Sequence, residues 1–414
     1  MQLLTLIFIL ALAASTLLQL WLAIRHIRHI DMNRGVVPAD FSERISLESH
    51  QKAADYSIAK TRLGLSQIFV DVAVLLVMTL GGGIQFLSDL WQPLVSSQLW
   101  RGTALMLSVL FIMSALEIPL NFYRSFVIDA RFGFNKQTMA LFFSDIVKQA
   151  FLAIMLGLPL VLGVLWLMGV MGEHWWLYVW LTWMGFNLLV LAIYPTFIAP
   201  LFNKFTPLPD GELKQRIERL LQKCGFKAKG LFVMDGSKRS SHGNAYFTGF
   251  GKTKRIVFFD TLLQRLNPDE VEAVLAHELG HFKRRHVAKR MFWMFLVSLA
   301  GLWLLGYLLP QEWFYHGLGV TTQSNAAALL LFLMVSPVFT FLLHPLMSFY
   351  SRKHEFEADQ YAAQTASETA LVQALVKLYQ DNAATLTPDP LHSAFYDSHP
   401  PAVIRIARLQ DTAA

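Results

Sequence analysis

The sequence predicts a predominantly α-helical, polytopic membrane protein with seven transmembrane helices and a small cytoplasmic α+β domain. Of its 414 residues, 54% are hydrophobic and only 15% are charged, whereas a soluble domain carries about 25% charged residues. Seven apolar runs are long enough to cross a membrane. A long polar segment with helix and strand patterns separates the fifth run from the sixth. This composition excludes a disordered chain, a fibrous repeat and an ordinary cytosolic enzyme.

The predicted spans are runs of at least about 18 mostly apolar residues, enough for a helix to cross the hydrocarbon core. They are Leu3–Ile24, Leu65–Leu87, Thr103–Leu120, Phe151–Val170, Trp176–Ala199, Met291–Leu309 and Ala326–Met347. No Lys or Arg precedes the first run, and Arg25 and Arg28 follow it, which is the reverse of the order in a signal peptide. We therefore expect an uncleaved first helix.

Basic residues are confined almost entirely to alternate loops. Of the 35 Lys and Arg residues, all except Arg101 fall in four segments. These are the loop between the first two spans, the loop between the third and fourth, the segment between the fifth and sixth, and the tail after the seventh. The positive-inside rule makes that side cytoplasmic and puts the N-terminus on the opposite side, in a bacterial inner membrane or a eukaryotic ER-type membrane. Membrane topology therefore accounts for the net charge of +6. We expect a lipid bilayer, and no nucleic acid, as partner.

Two carboxylates, Asp71 and Glu117, lie within or near predicted spans. Burying a carboxylate in lipid is costly, so such residues are candidates for a functional role. The alternative is that each faces the interior of the helix bundle and hydrogen-bonds a neighbour, and we favour this second interpretation.

The soluble segment contains the pattern of a small sheet flanked by helices. Its predicted elements are a helix over Gly211–Lys223 and strands over Leu231–Met234, Asn244–Phe250 and Arg255–Asp260, the last two joined by a turn at 251–253. A further helix begins at Asn267, because Asn-Pro-Asp-Glu supplies a cap, a proline in the first turn and acids at the positive end of the helix dipole.

The helix that begins at Asn267 contains the motif His277-Glu278-Leu279-Gly280-His281, an H-E-x-x-H. Residues four apart share one helix face, so both imidazoles can reach one metal ion. Glu278 can face a water on that metal and accept its proton. The alternative is a helix surface with unrelated histidines. A catalytic zinc site also needs a third protein ligand and an open position for water.

The third ligand is expected after the seventh span, where the sequence reads Glu355-Phe356-Glu357-Ala358-Asp359. Glu355 and Asp359 share a helix face, which suits one carboxylate on the metal and another that orients a ligand histidine. Glu357 points away from that face, and we expect it to be solvated. Spacing alone does not choose among Glu355, His354 and His286 as the ligand, although we favour the interpretation that the two additional histidines have no role in the site.

Five motifs, in order along nearly the whole chain, carry a resemblance to a known family. They are Phe132–Lys136 (FGFNK), Ser241–Phe247 (SHGNAYF), His277–His281 (HELGH), Glu355–Asp359 (EFEAD) and His399-Pro400-Pro401 followed by Arg405. In this order they resemble the type I CAAX prenyl endopeptidases, integral-membrane zinc proteases with seven spans around a water-filled chamber. These enzymes remove the last three residues of prenylated proteins.

The resemblance implies one zinc ion per chain, held by His277, His281 and Glu355. It implies Glu278 as the catalytic base and Asp359 as the residue that orients a ligand histidine. The implied reaction is attack of a metal-activated water on a peptide bond.

The resemblance also implies the residues that contact the substrate, a peptide or protein that can be prenylated. Asn244 would bind the substrate backbone, and His399 and Arg405 would lie at the active site, where donors of this kind stabilise an oxyanion. We expect a monomer. The chain is divided into transmembrane helices one to five (1–199), the H-E-x-x-H segment (200–290), helices six and seven (291–349) and a cytoplasmic segment that completes the site (350–414).

Three other readings of the sequence remain. A membrane quality-control zinc protease without prenyl dependence shares H-E-x-x-H, but members of that group resemble shorter, four-span proteins. An intramembrane-cleaving protease carries the motif inside a span, whereas here it precedes Met291. A transporter with a structural metal site would leave the soluble sheet and the Glu355–Asp359 pair without a role.

Overall fold

The computed structural model describes residues 2–249 and 254–411. Its helices are α1 Leu3–Asn33, α2 Leu47–Met78, α3 Gly83–Trp91, α4 Gln98–Tyr123, α5 Met139–Leu152, α6 Leu158–Val170, α7 Trp175–Ile193, α8 Ala199–Phe202, α9 Glu212–Lys223, α10 Asp260–Leu263, α11 Pro268–Lys283, α12 His286–Leu308, α13 Glu312–Gly317, α14 Asn325–Thr340, α15 His344–Thr365, α16 Glu368–Asp381, α17 Pro390–Tyr396 and α18 Ala402–Asp411. The strands are β1 Phe205–Pro207, β2 Gly230–Met234, β3 Ala245–Thr248 and β4 Arg255–Phe259. The predominance of helix agrees with the prediction.

Among the described residues, seven helical segments are long and apolar enough to cross a membrane. Short π or 3-10 turns join several helices into longer spans. The spans run Leu3–Asn33, Leu47–Met78, Gln98–Asp129, Met139–Val170, Gly172–Phe202, His286–Leu308 and Asn325–Thr365. The predicted seven-span, polytopic fold is confirmed.

The second span differs from its predicted bounds of Leu65–Leu87. Its helix begins at Leu47, where the Ser46 side chain accepts a hydrogen bond from the Ser49 amide, and it ends at Met78. The chain then turns through Gly82, whose φ is +77°, a conformation that glycine adopts without steric cost. A Cβ on Gly81 would lie 2.8 Å from the Val77 carbonyl oxygen. The glycine run therefore divides one apolar run into two helices.

The spans surround space more than they pack against one another. In each of the first six, only 11–22% of the most apolar stretch is buried within the protein, against 50% in the seventh. Asp71 and Glu117 are both exposed on their helices, and Asp71 accepts a hydrogen bond from Gln67 at 2.7 Å. Low burial with exposed carboxylates is expected of helices that enclose a water-filled chamber, because a carboxylate facing lipid would be costly.

The sheet has the order β1-β2-β4-β3, with β2 and β4 parallel and the other pairs antiparallel. The three predicted strands are present. Strand β2 begins one residue earlier than predicted, β4 ends one residue earlier, and β3 begins one residue later, while Phe250, the last residue predicted for β3, lies outside the described residues. The turn predicted at 251–253 lies outside the described residues. Strand β1 has only three residues, too few to show an alternating pattern in the sequence, and was not predicted. Strand β3 forms one edge of the sheet.

One hydrophobic core unites the soluble segment before the sixth span with the C-terminal helices. It includes Ile217 of α9, Phe258 of β4, Leu275 of α11, Leu375 of α16 and Ile406 of α18. Because these side chains are buried together, α11 is held against both the sheet and the C-terminal helices. Residues far apart in sequence are thereby fixed around one helix.

A partly buried ion pair connects this soluble core to the membrane half. Arg239 donates from Nε and one terminal nitrogen to the carboxylate of Asp145, at 2.8 and 3.0 Å. Its other terminal nitrogen donates to the Asn203 side chain at 2.7 Å. Asp145 lies on α5 and is buried. The ion pair therefore fixes the segment before β3 against the fourth span.

Helix α11 is delimited at both ends. The Asn267 side chain accepts from the Glu270 amide, and the Glu270 carboxylate accepts from the Asn267 amide, which completes the predicted N-terminal cap. At the other end Arg285 has φ 56° and ψ 36°, the left-handed region, and α12 begins at the next residue. The chain thus reverses sharply just after the H-E-x-x-H sequence.

Candidate metal centre

The site forms where α11 crosses α15. A Cβ on Gly280 would lie 2.9 Å from the Cα and 3.0 Å from the carbonyl oxygen of Ala358, closer than real Cβ contacts. Only glycine at this position therefore permits the observed approach of the two helices. The approach brings the carboxylate of Glu355 to the two histidines of α11.

The nitrogen and oxygen atoms of His277, His281 and Glu355 converge on one point. Nε2 of His281 lies 3.2 Å from Nε2 of His277. Glu355 places Oε2 at 3.5 Å from His277 Nε2 and Oε1 at 3.3 Å from His281 Nε2. A tetrahedral ion with ligands at about 2.0–2.1 Å separates any two ligand atoms by about 3.3–3.4 Å. The separations between the two imidazole nitrogens, and between each of them and its nearer Glu355 oxygen, are therefore close to those around one tetrahedral metal ion.

The carboxylate of Glu355 also needs a cation. The residue is 2% exposed, and its Oε2 finds no hydrogen-bond donor among the described residues. A buried carboxylate oxygen without a donor is costly. A metal ion at the convergence point would satisfy it.

His277 is supported from behind by an acidic residue. Its Nδ1 lies 2.8 Å from Oδ1 of Asp359. Arg405 in turn donates to both oxygens of Asp359, from Nε at 2.8 Å and from a terminal nitrogen at 2.6 Å, and this pair is buried. The spacing argument placed Asp359 beside a ligand histidine, and the structure brings the two together.

His281 is supported by a different pair. Its Nδ1 lies 3.0 Å from Nδ1 of His286, and Nε2 of His286 lies 3.0 Å from Oε2 of Glu357. The His286 ring stacks on His354 at 3.9 Å between centroids. We expected Glu357 to be solvated, and that expectation was wrong. The residue does point away from the face that carries Glu355, but the first turn of α12 lies on that side.

Electrostatics distinguish the two ligand histidines. Burial alone would lower the pKa of His277, but the adjacent carboxylates of Asp359 and Glu355 raise it to about 9. Burial and the neighbouring His277 lower the pKa of His281 to about 3. Carboxylates that favour a proton on His277 also favour a metal cation at the same place, and the neutral His281 presents a free lone pair.

Glu278, which directly follows His277, and His399 border the cluster without being fully buried. Glu278 is half-buried, and burial raises the pKa of its carboxyl group. His399 exposes 63% of its side chain while its Nε2 lies 3.5 Å from Oε2 of Glu355. Both side chains can therefore meet a molecule that approaches the cluster, whereas Arg405 is committed to Asp359.

Asn244 lies immediately before the edge strand β3. Its carbonyl oxygen accepts from the Phe259 amide at 2.9 Å, which fixes the backbone to the end of β4, and its side chain is exposed. The loop at 132–136 holds the preceding residues, because the Ser241 amide donates to the Phe134 carbonyl oxygen at 3.2 Å. Two sequence motifs that looked independent thus pair with each other.

Comparison with known proteins matches nearly the whole chain to one family. A family model described as Peptidase family M48 matches residues 207–413, and one described as CAAX prenyl protease N-terminal, five membrane helices, matches residues 26–204. The chain belongs to peptidase family M48. The family resemblance drawn from the five motifs is thereby confirmed.

Individual relatives match over most of their length. The chain is 42% identical over 293 residues to CAAX prenyl protease 1 homolog of Arabidopsis thaliana, covering 70% of this chain and 69% of that protein. It is 34% identical over 407 residues to CAAX prenyl protease 1 of Saccharomyces cerevisiae, covering 90% and 88%. The crystal structure of S. mikatae Ste24p superposes with a TM-score of 0.88 at 32% identity, over 99% of each chain.

Family membership determines the class of reaction. The protein is an integral, multi-pass membrane metallopeptidase that hydrolyses peptide bonds in peptide or protein substrates. A metal ion is therefore its cofactor, and the described residues provide the His277–His281–Glu355 cluster to hold it. A transporter with a merely structural metal site is excluded.

Proposed function

We propose that this protein is a zinc endopeptidase that removes the C-terminal tripeptide from prenylated CAAX proteins or peptides. The observation that carries the proposal is the convergence of His277, His281 and Glu355 at metal-ligand spacing, with Glu278 directly after the first of these ligands. Two imidazoles and one carboxylate form a ligand set typical of catalytic zinc. When bound, zinc would acidify a water molecule and polarise the scissile carbonyl.

Glu278 serves as the general base in this proposal. It follows a ligand histidine directly, so its carboxylate reaches the open side of the site without binding the metal. Burial raises its pKa, which brings the carboxyl group closer to the pH at which it must take up and release a proton. It accepts the proton of the attacking water and delivers it to the leaving amine.

His399 and Asn244 contact the substrate. The exposed ring of His399, next to Glu355, can donate a hydrogen bond to the oxyanion that develops during attack. Asn244 continues into the edge strand β3, so an extended peptide can lie beside it and pair with its amide side chain. Arg405 acts through Asp359, since the same guanidinium nitrogens cannot also reach the substrate.

The prenylated substrate is inferred from the relatives, which are named CAAX prenyl proteases. The basic loops favour a cytoplasmic position for the site, with the N-terminus on the other side. One chain supplies every side chain of the proposed site, which supports a monomer acting in the lipid bilayer. The four-part division of the chain at 199, 290 and 349 remains part of the proposal.

The test is cleavage of a farnesylated CAAX peptide and its unprenylated twin by detergent-purified protein, followed by mass spectrometry. We expect loss of three residues from the farnesylated peptide only. Glu278→Gln should keep stoichiometric zinc and lose cleavage, whereas His277→Ala should lose both. Glu272→Gln, on the same helix but paired with Arg216, is the matched control and should cleave normally.

Three outcomes would contradict the proposal at different points. Cleavage of both peptides would move the enzyme to general membrane proteolysis, as in quality control. Cleavage by Glu278→Gln at the wild-type rate would show that Glu278 is not the general base. Absence of cleavage by zinc-loaded wild-type protein would exclude CAAX peptides as the substrate.

A further inference from the structure

His286 and Glu357 are joined to the metal-binding cluster but have no role in the reaction proposed above. His286 is the first residue of α12 and is 1% exposed. Burial of an imidazole is unfavourable unless its nitrogens are paired. Both nitrogens of His286 are paired, one with His281 and the other with Glu357.

The hydrogen-bond network assigns the protons of both rings. The Glu357 carboxylate is an acceptor, so the facing Nε2 of His286 carries the proton. Nδ1 of a neutral His286 is then an acceptor, and it faces Nδ1 of His281 at 3.0 Å. His281 must therefore carry its proton on Nδ1. That tautomer leaves the lone pair on Nε2, the atom that lies in the cluster with Glu355 and His277.

The turn between the two helices makes this contact. Helix α11 ends at Lys283, and Arg285 adopts the left-handed conformation with φ 56°. A continued helix would carry residue 286 to a different face from His281, since five residues correspond to about 500° of rotation. The reversal at Arg285 instead returns the His286 ring to the outer nitrogen of His281.

We propose that His286, oriented by Glu357, is a positioning residue that fixes the tautomer and ring orientation of His281 for metal binding. The inference rests on the proposed zinc site and extends it to a histidine-mediated support. The support usually seen for a ligand histidine is a carboxylate, a backbone carbonyl or a water that accepts its second N–H. Here the imidazole of His286 accepts that N–H from His281, and His286 in turn donates to the carboxylate of Glu357.

The test is zinc affinity, measured by chelator competition on the purified full-length protein in detergent. His286→Ala removes the acceptor and should weaken zinc binding about 10–100-fold. His286→Asn puts an amide oxygen near the position of Nδ1 and should restore most of the affinity. Glu357→Ala removes the half-exposed carboxylate but keeps His286. Its zinc affinity should therefore lie between those of His286→Ala and His286→Asn. Absorption of the cobalt-substituted protein should show altered ligand geometry in His286→Ala alone.

His50→Ala is the matched control. His50 is also 1% exposed and makes one hydrogen bond through Nε2, to the Asn33 carbonyl oxygen at 3.1 Å. It has no contact with the cluster in the described structure. Its loss should leave zinc affinity and the cobalt spectrum unchanged, even if it lowers the midpoint of thermal unfolding.

Wild-type zinc affinity in His286→Ala would overturn the inference. So would equal weakening in His286→Asn and His286→Ala, because the hydrogen bond would then not be the cause. If His286→Ala cannot be purified folded, wild-type zinc affinity in Glu357→Ala would overturn it. Different results would contradict the zinc-enzyme proposal itself. They are absence of zinc from the wild-type protein and cleavage by Glu278→Gln.

Discussion

His277 and His281 lie one helical turn apart on α11, face the same point, and are supported in opposite ways. Behind His277 stands a carboxylate paired with a buried arginine. Behind His281 stands a second imidazole, and its carboxylate partner, Glu357, keeps 28% of its side chain exposed. Two equivalent ligands in the sequence motif thus have environments of different charge.

The difference shows what each support does. A direct carboxylate adds negative charge to the site and favours a cation, in keeping with a pKa of about 9 for His277. An imidazole adds no charge and only fixes direction, so it does not offset the burial and the neighbouring His277 that lower the pKa of His281 to about 3. We infer that the Asp359–Arg405 pair mainly contributes stability and charge, whereas the His286–Glu357 pair mainly contributes orientation.

The largest effect should follow from removing the arginine on the His277 side. Arg405→Met leaves Asp359 buried without its bidentate partner, and breaking a buried ion pair costs about 3–5 kcal/mol. Glu357→Ala, on the half-exposed side, should cost about 1 kcal/mol or less. The measurement is the unfolding midpoint of both variants in detergent without metal. Equal losses would contradict the division of roles.

A pH effect should follow from the histidine pKa values. In the metal-free protein His277 has a folded-state pKa of about 9, above its ordinary value of 6.5. The stability from its protonated form is complete below about pH 6.5 and is lost as the pH rises through 9. The unfolding midpoint of metal-free protein should therefore fall over this range.

Two controls identify the source of that pH dependence. Zinc-loaded protein should lack it, because the metal replaces the proton on Nε2, and Asp359→Asn should reduce it. His281 contributes with the opposite sign, since its lowered pKa makes stability fall below about pH 6.5, where the unfolded chain takes up a proton. A midpoint that is flat or rises between pH 6.5 and 9 would show that the two histidines do not differ as described.

A smaller effect than the loss of Arg405 should come from the helix crossing that serves both sides. Gly280→Ala places a Cβ 2.9 Å from the Cα of Ala358, and such overpacking costs about 1–3 kcal/mol. The added Cβ should push α15 away from α11 and move Glu355 with it. Zinc affinity should therefore fall, although the Asp359–Arg405 and His286–Glu357 pairs remain. Gly185→Ala is the control, as its Cβ would meet no atom within 4 Å. Unchanged zinc affinity in Gly280→Ala would mean that the helices separate without moving Glu355.

The sequence predicted the chemistry better than the geometry. Seven apolar runs and a one-sided distribution of basic residues indicated the membrane fold, and five motifs indicated the family that the comparisons confirm. The bounds of the second span were wrong, because hydropathy does not register the glycine turn after Met78. The role of Glu357 was also misjudged, since its helix face was correct but the neighbour on that face was unknown.

Some residue roles could not be read from any pattern. His286 follows His281 by five residues, a spacing that implies no shared helix face until the left-handed Arg285 reverses the chain. Gly280 occupies an unspecified position of H-E-x-x-H, and its role is shown only by the close approach of the Ala358 backbone. The sequence signals that could have found them are the Arg-Arg-His run after the motif and the small residues at both crossing positions.

By itself the sequence determined which atoms are available: two imidazoles one turn apart, carboxylates at 355 and 359, and enough apolar residues for seven spans. Those properties are local, because helix periodicity and hydropathy act over neighbouring residues. Only the tertiary structure decided that Glu355 meets His277 and His281, that Arg405 holds Asp359 and that His286 holds His281. These contacts join residues as much as 78 positions apart, from His277 to Glu355, and depend on how the helices α11, α12, α15 and α18 pack around one core.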